Sequence, residues 1–285
     1  MLLRQDLGTG AIRTLSATAA GGSLSIASRA ATALLLSGQP PASAWCEHGQ
    51  ALLRSPAVIQ QPQQAIEVLK ALLAADACPP DTLADFAWQL APLVPSGGNA
   101  SQYLGPADLQ WLLAAAGLVL RAESRVNPEA RGRQPGSLLP PQLLTWADTC
   151  DKGSVQPVLS GLPAEAGARV LEGLRARAVE LSLPGVRAGV VATGPIGSIP
   201  LVEVPIALQL AGVGPEDPQL DVAVVSSGGP APRLLRAVLE SLGYQQVLVC
   251  EPQQLQEASE TAVAFAGLVE RLAAGCTAGR RQRSR

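Results

Sequence analysis

The sequence predicts an α/β protein with a helical middle region. Apolar residues recur at helical spacing between residues 62 and 119, and β-branched runs alternate with helical segments from residue 186 onward. Composition agrees, since 47% of the 285 residues are hydrophobic and only 15% are charged. That balance excludes intrinsic disorder, which needs low hydrophobicity and a high net charge. We therefore expect a folded chain of one or two domains.

The first part of the chain is predicted to be extended. Short runs over residues 11–18, 23–28 and 32–36 lie on either side of Gly21-Gly22. A Gly-Gly pair between such runs favours a β-hairpin, because glycine supplies the positive φ of a tight turn. The segment around Cys46, Glu47 and His48 is then interpreted as a turn, in which neighbouring side chains do not form a catalytic Cys-His pair.

The middle of the chain is predicted to be helical. Pro62 is a plausible first helical residue, and the apolar residues that follow it form one stripe. Asp and Pro residues precede two further apolar-periodic segments, and two more follow a cluster of Pro and Gly over 127–141. The predicted helices are residues 62–73, 81–93, 106–119, 141–150 and 163–181.

Strands and helices alternate in the last third. Strands are predicted at 186–191, 199–208, 220–225 and 246–250, with a helix at 233–242 and one long helix at 255–273. The domain prediction is an N-terminal hairpin plus helical lobe over 1–126, a linker at 127–141, a C-terminal α/β lobe over 142–276 and a disordered basic tail at 277–285.

Composition excludes several functional classes. A net charge of −2 supplies no basic field for nucleic acid, and no apolar run reaches the roughly 20 residues of a membrane span. Five scattered cysteines and one histidine favour neither a disulfide framework nor a protein-held metal site. The N-terminus lacks the order of segments of a signal peptide. We therefore expect a cytoplasmic protein that binds neither nucleic acid nor membrane.

Three glycine-bearing turns are the candidate ligand contacts. Glycines beside a strand let phosphate oxygens approach backbone amides, and a hydroxyl or a helix N-terminus adds donors. The same residues also serve ordinary tight turns, so both interpretations stay open for each turn. The residues are Asp6, Gly8, Thr9 and Gly10 in the first turn, Gly194, Gly197 and Ser198 in the second, and Gly228 and Gly229 in the third.

The order of these turns resembles the nucleotide-binding domain of the DnaK-type heat-shock chaperones and, more loosely, the actin-like ATPases. The segments that carry the resemblance are 6–10, 49–51 with 59–72, 115–121 with 127–130, and 224–266. The resemblance implies a ribonuclease-H-like actin/heat-shock ATPase fold and a protein partner. It also implies that ATP or ADP with Mg²⁺ is the ligand and that the three turns and Arg233 contact it.

The chain also departs from that family's pattern. The lysine that follows the Gly-x-Ala turn would fall near Leu53, and the second phosphate turn, 193–198, lacks an acid and contains Pro195, which has no amide donor. Phosphoryl transfer depends on positioned charge. We therefore assign no catalytic residue and expect a chaperone-like or co-chaperone protein with weak or no ATP hydrolysis.

Two other interpretations remain. One is a non-catalytic protein-interaction protein of helical plus α/β architecture, favoured by the missing charges. The other is a two-domain helical plus α/β protein unrelated to that family. The separation of the turns at Asp6 and Gly228 in the fold would distinguish them.

Overall fold

The computed structural model describes residues 23–94, 104–127, 129, 132–163, 167–194, 196–210, 219–227 and 232–283. It is a mixed α/β protein with a mixed open sheet, which confirms the predicted class. The ribonuclease-H-like arrangement stays a prediction. Two compact units divide the chain at Val158 and Leu159, and residues 193–200 and 231–238 belong to the first unit. The segment predicted as a linker, 127–141, lies within the first unit.

The first unit is helical, and the predicted helices after residue 61 are confirmed there. Its α-helices are α1 Leu24–Ser37, α2 Ser43–Leu53, α3 Ala57–Gln60, α4 Pro62–Ala74, α5 Pro80–Leu90, α6 Pro106–Val126 and α7 Pro141–Thr149, with 3₁₀ turns at Ala91–Leu93 and Pro135–Leu138. Four of these helices begin at a proline, because its fixed φ suits a first helical position whose N–H has no partner in the helix.

Helix α4 is the centre of this unit. It packs against α1, α2 and α6, and both α4 and α6 are buried on most of their circumference. Lys70 on α4 forms an ion pair with Glu67, and its Nζ lies 5.0 Å from the ring centroid of Trp111 on α6. This placement gives Lys70 a structural role.

The predicted N-terminal hairpin is wrong where the structure describes it. Residues 23–28 and 32–36 belong to α1, not to strands, because Leu24, Ala27 and Leu34 are buried on one helical face. Gly38, at φ 66°, ends the helix and donates its N–H to the Leu34 carbonyl at 3.0 Å. Residues 11–22 lie outside the described part of the chain.

The turn predicted at 46–48 is also wrong, because these residues lie within α2, as does the 49–51 segment that resembles the family's Gly-x-Ala turn. Gly49 faces α4, where an added Cβ would lie 3.3 Å from Val68 Cγ1. The glycine therefore marks a close helix contact and not a turn. Cys46 and His48 are two positions apart on this helix, a spacing at which side chains do not face each other.

The rest of the chain alternates strands and helices as predicted. Its elements are β1 Leu159–Ser160, α8 Gly167–Leu181, β2 Val186–Thr193, β3 Pro200–Leu210, β4 Leu220–Ser226, α9 Pro232–Ser241, β5 Gln246–Cys250, α10 Pro252–Glu260 and α11 Ala262–Arg283. The single helix predicted at 255–273 is two helices. Thr261 separates them with extended backbone, and its hydroxyl accepts the Ala264 N–H at 3.2 Å. Helix α11 continues through Arg283, into the tail predicted as disordered.

The sheet of the second unit combines parallel and antiparallel pairs. The strand order is β1-β3-β4-β5, and β2 also pairs with β3. Strand β4 is antiparallel to β3 and parallel to β5, with Ser226 opposite Cys250. Strand β3 pairs with β1 before Pro205 and with β4 after it. Pro205 lacks an amide hydrogen, so it suits the point at which β3 changes partner.

One face of this sheet is covered by α8, α10 and α11. The shared core contains Leu174 of α8, Leu255 of α10 and Phe265 of α11, all fully buried against β3 and β4. Full burial of such a side chain contributes about 2 kcal/mol. Helices α8 and α10 approach closely at Gly173, where an added Cβ would lie 2.6 Å from the Ser259 carbonyl oxygen.

Strand β2 is irregular at Gly189, whose φ is 60°. The Arg175 guanidinium of α8 donates to the Gly189 carbonyl at 3.1 Å and lies 3.4 Å from a Glu203 carboxylate oxygen. An added Cβ at Gly189 would overlap Arg175 Nε, so the glycine makes room for this side chain. Within the described residues, β2 pairs with β3 alone.

Among the described helices, none combines the length and the apolar character needed to cross a membrane.

Candidate functional site

The predicted site residues fall into two groups. Four lie in the described part of the chain: Gly194, Gly197, Ser198 and Arg233. Six lie outside it: Asp6, Gly8, Thr9, Gly10, Gly228 and Gly229. The separation of the first and third turns therefore stays a prediction.

The second turn connects β2 to β3 and is closed by its own backbone. Gly194 donates its N–H to the Ile199 carbonyl at 2.8 Å. Gly197, at φ 62°, packs on α7, where an added Cβ would lie 2.7 Å from the Ala147 carbonyl oxygen. Ser198 has a φ of 52°. This geometry favours the tight-turn interpretation, and phosphate contact by these three residues stays a prediction.

Arg233 lies in the first turn of α9, and its side chain is exposed. It borders a shallow groove of the first unit with about 280 Å³ of empty space, part of it open to solvent. Apolar side chains from α1 and α4 form most of the other wall, including Leu34, Leu35 and Ala71. The groove is apolar with one cation at its edge.

The polar groups that the structure brings together lie at the carboxyl ends of β4 and β5. Ser227 donates its N–H to the Cys250 carbonyl at 2.8 Å, and its hydroxyl donates to Oε2 of Glu251 at 3.1 Å. The Glu251 N–H in turn donates to the Gln254 side chain at 3.1 Å. The exposed Glu251 carboxylate is thus held beside the end of β4.

The end of β4 is fixed on its other side by Gly161. Ser226 donates its N–H to the Gly161 carbonyl at 2.7 Å, and Gly161 donates its own N–H to the Glu203 carbonyl at 2.8 Å. An added Cβ at Gly161 would lie 2.5 Å from Pro205 Cδ, so only glycine fits there. Backbone hydrogen bonds therefore hold Ser226 and Ser227 rigidly in place.

The side chains at this edge offer hydrogen-bond acceptors and one hydroxyl donor. In open α/β sheets, ligands bind outside the carboxyl ends of the strands. An ionised carboxylate only accepts hydrogen bonds, whereas a serine hydroxyl both donates and accepts. The sequence analysis assigned the neighbouring Gly228 and Gly229 and missed Ser226, Ser227 and Glu251. The sequence signal for Glu251 is its position directly after the second strand of a strand, glycine turn, helix and strand series.

All five cysteines are free thiols. Burial raises the pKa of Cys78 to about 12, an effect that Arg54 only partly offsets. Burial also raises the pKa of Cys46, with a further increase from Glu47, and the pKa of Cys250. A thiolate is the reactive form, so these environments disfavour cysteine chemistry.

Cys78 is expected to make stability depend on pH above pH 9. Its pKa rises from an ordinary 9.0 to about 12 on folding, so the unfolded chain loses the proton first. The stabilisation is complete below pH 9 and is lost as pH rises toward 12. Relative to Cys78→Ser, the wild-type chain should lose about 1.4 kcal/mol of unfolding free energy between pH 8 and pH 10. Urea unfolding at both pH values measures this, and a pH-independent difference would contradict it.

No group of three or more His, Cys, Asp or Glu side chains within the described ranges is arranged to hold a metal ion. Asp6, the acid of the first predicted phosphate turn, lies outside those ranges.

Comparison with models of known protein families, with curated proteins and with solved structures finds no match. The class of the protein is therefore defined by its own architecture, a helical unit and a mixed α/β unit.

Proposed function

We propose that the chain binds a nucleotide at the carboxyl ends of β4 and β5, hydrolyses it weakly or not at all, and acts on a protein partner in a chaperone-like way. The observation that carries the proposal is the parallel pair β4 and β5, joined through α9, with Ser226, Ser227 and Glu251 at its carboxyl end.

The connection between the strands supports this placement. The sequence after β4 is Ser226-Ser227-Gly228-Gly229, and α9 begins at Pro232. Glycines directly after a strand permit close approach of phosphate to backbone amides. The proposal assigns the phosphates to this connection.

Weak or absent nucleotide hydrolysis follows from the charged residues that the predicted phosphate site lacks. The second turn contains no acid, and Lys70 pairs with Glu67 and lies over the ring of Trp111. Hydrolysis needs cations and a metal-binding acid around the transferred phosphate. A bound nucleotide would then change the affinity of the chain for its partner without being hydrolysed.

Titration with a fluorescent ATP or ADP analogue, with and without Mg²⁺, tests the proposal. We expect saturable binding that unlabelled nucleotide displaces, and no phosphate release above the buffer rate. Gly229→Ala should weaken binding about tenfold, or about 1.4 kcal/mol, by keeping phosphate away from the backbone. Gly275→Ala is the matched control, because an added Cβ there meets nothing within 4 Å. Absence of saturation at millimolar nucleotide would refute nucleotide binding.

A second candidate function is partner binding without nucleotide. Trp88 on α5 is 54% exposed and Ile59 on the contacting helix α3 is 43% exposed. Large apolar side chains exposed together are typical of protein-binding surfaces. This candidate predicts that partner capture is lost in Trp88→Ala and unchanged by nucleotide or by Asp6→Ala. Capture that requires nucleotide would instead favour the first proposal.

A further inference from the structure

We propose that the groove beside Arg233 binds the C-terminal residue of a partner polypeptide. An apolar side chain at the end of the partner would fill the groove, and the terminal carboxylate would pair with the Arg233 guanidinium. This inference concerns the protein partner and goes beyond the proposed nucleotide binding. The groove is lined by residues of the first unit, and its test contains no nucleotide.

The first step is the apolar wall of the groove. Leu34 and Ala71 are buried there, whereas Leu35, Pro41 and Ala74 are only half-buried. An apolar group that covers the half-buried side chains removes their surface from water, which favours binding. The empty space of about 280 Å³ is partly open to solvent. Pockets for whole small-molecule ligands usually measure about 300 to 1,000 Å³. The groove therefore suits a single apolar side chain better than a nucleotide or a helix.

The second step is the charge at the edge of the groove. The exposed Arg233 side chain forms no ion pair or hydrogen bond with another described residue, and none of the described lining residues is acidic. A guanidinium presents N–H donors in a planar fork that matches the two oxygens of a carboxylate. The charge and the apolar wall together favour a ligand that carries a carboxylate next to an apolar group.

The third step is the Gln39 side chain, which also lines the groove and is half-buried. Its amide group has no hydrogen-bond partner among the described residues. A primary amide both donates and accepts hydrogen bonds, so it can pair with the peptide group of a ligand. The last residue of a polypeptide carries an apolar side chain, a carboxylate and a peptide nitrogen on one Cα. A single terminal residue can thus meet the wall, Arg233 and Gln39 together.

A simpler role competes with this one. Gly38, at the C-terminal end of α1, borders the same groove as Arg233. A cation near a helix C-terminus is favourable without any ligand. That role affects folding stability alone and gives no discrimination between a peptide acid and a peptide amide. Binding of the two peptide forms therefore separates the roles.

The experiment titrates the ¹⁵N-labelled full chain, without nucleotide, with the peptide Gly-Ser-Gly-Ser-Leu as its free acid or its C-terminal amide. We expect the acid to shift the backbone amide signals of Gly38 and Gln39, with half-saturation at about 1 mM. The amide form should bind about tenfold more weakly, because it lacks the charge that pairs with Arg233.

Two variants accompany the titration. Arg233→Gln should lower the affinity for the acid about tenfold, to that for the amide, and leave the affinity for the amide unchanged. Arg169→Gln replaces an exposed arginine of α8 in the second unit and should change neither affinity.

The outcomes decide the proposal. Equal binding of acid and amide by the wild-type chain would overturn it, as would an equal loss of both affinities in Arg233→Gln. Absence of shifts at Gly38 and Gln39 with millimolar acid would also overturn it. Hexanoate has an apolar chain and a carboxylate but no peptide group, so equal or tighter binding of hexanoate would exclude a polypeptide as the occupant. The wild-type comparisons hold whether or not Arg233→Gln folds, and their failure leaves the proposed nucleotide binding intact.

Discussion

Gln110→Leu is expected to lower the free energy of unfolding by about 3 kcal/mol. The Gln110 side chain is 1% exposed, and its Nε2 donates to the Gln156 carbonyl at 2.9 Å and to the Pro200 carbonyl at 2.6 Å. Leucine fills a similar volume but leaves both carbonyls without this donor. Each buried group left unpaired costs about 1 to 3 kcal/mol. Urea denaturation followed by circular dichroism measures the change.

Gln89→Leu is the control for this substitution. Gln89 is only partly buried, and its Nε2 makes one longer contact of 3.3 Å with the Leu53 carbonyl. Its loss should cost well under 1 kcal/mol, because water can reach the carbonyl. Equal destabilisation by the two substitutions would show that loss of the hydrogen bonds to the Gln156 and Pro200 carbonyls does not account for the effect of Gln110→Leu.

Gly173→Ala is expected to destabilise the second unit by about 2 kcal/mol, and to lower its melting temperature by roughly 5 °C. The added Cβ would lie 2.6 Å from the carbonyl oxygen of Ser259 and 2.8 Å from its Cβ. These are backbone and near-backbone atoms, so relief requires α8 and α10 to move apart. The strain outweighs the gain of 0.5 to 1 kcal/mol that alanine usually gives over glycine within a helix.

Gly267→Ala in α11 is the matched helical control. The nearest atom to its added Cβ is Arg271 Nη1 at 3.5 Å, the end of a flexible side chain. This variant should be as stable as the wild-type chain or more stable by about 0.5 kcal/mol. Calorimetry on both variants compares them, and an unchanged melting temperature in Gly173→Ala would refute the close contact between α8 and α10.

The alternation of strands and helices after residue 186 was predictable because each buried run there has a single hydrophobic period, either that of a strand or that of a helix. The β-branched run of β4 admits one interpretation, and so does the apolar stripe of α4 in the first unit. The predicted strands at 23–28 and 32–36 are wrong because the helical spacing of Leu24, Ala27 and Leu34 is a stronger signal than a preceding Gly-Gly pair. Local turn signals are weak where tertiary packing buries a helical face.

One glycine, one threonine and one glutamate show what sequence alone conceals. A glycine at position 49 suggests a turn, but glycine is needed there because α4 packs closely against it. No local sequence pattern reveals that contact. Thr261 divides a continuous amphipathic pattern, and only its role as a helix N-cap signals the break. Glu251 joins Ser227 through strand pairing, so their contact depends on the sheet register.

The Gly189 irregularity in β2 also bears on how the protein behaves at high concentration. A strand that pairs on one side offers its other backbone groups to a neighbouring molecule, and an added strand needs a straight row of open carbonyls. Here the positive φ of Gly189 bends the row, and Arg175 occupies the Gly189 carbonyl. Strand β2 thereby carries its own protection against edge-to-edge pairing, supplied by one glycine and one charged side chain.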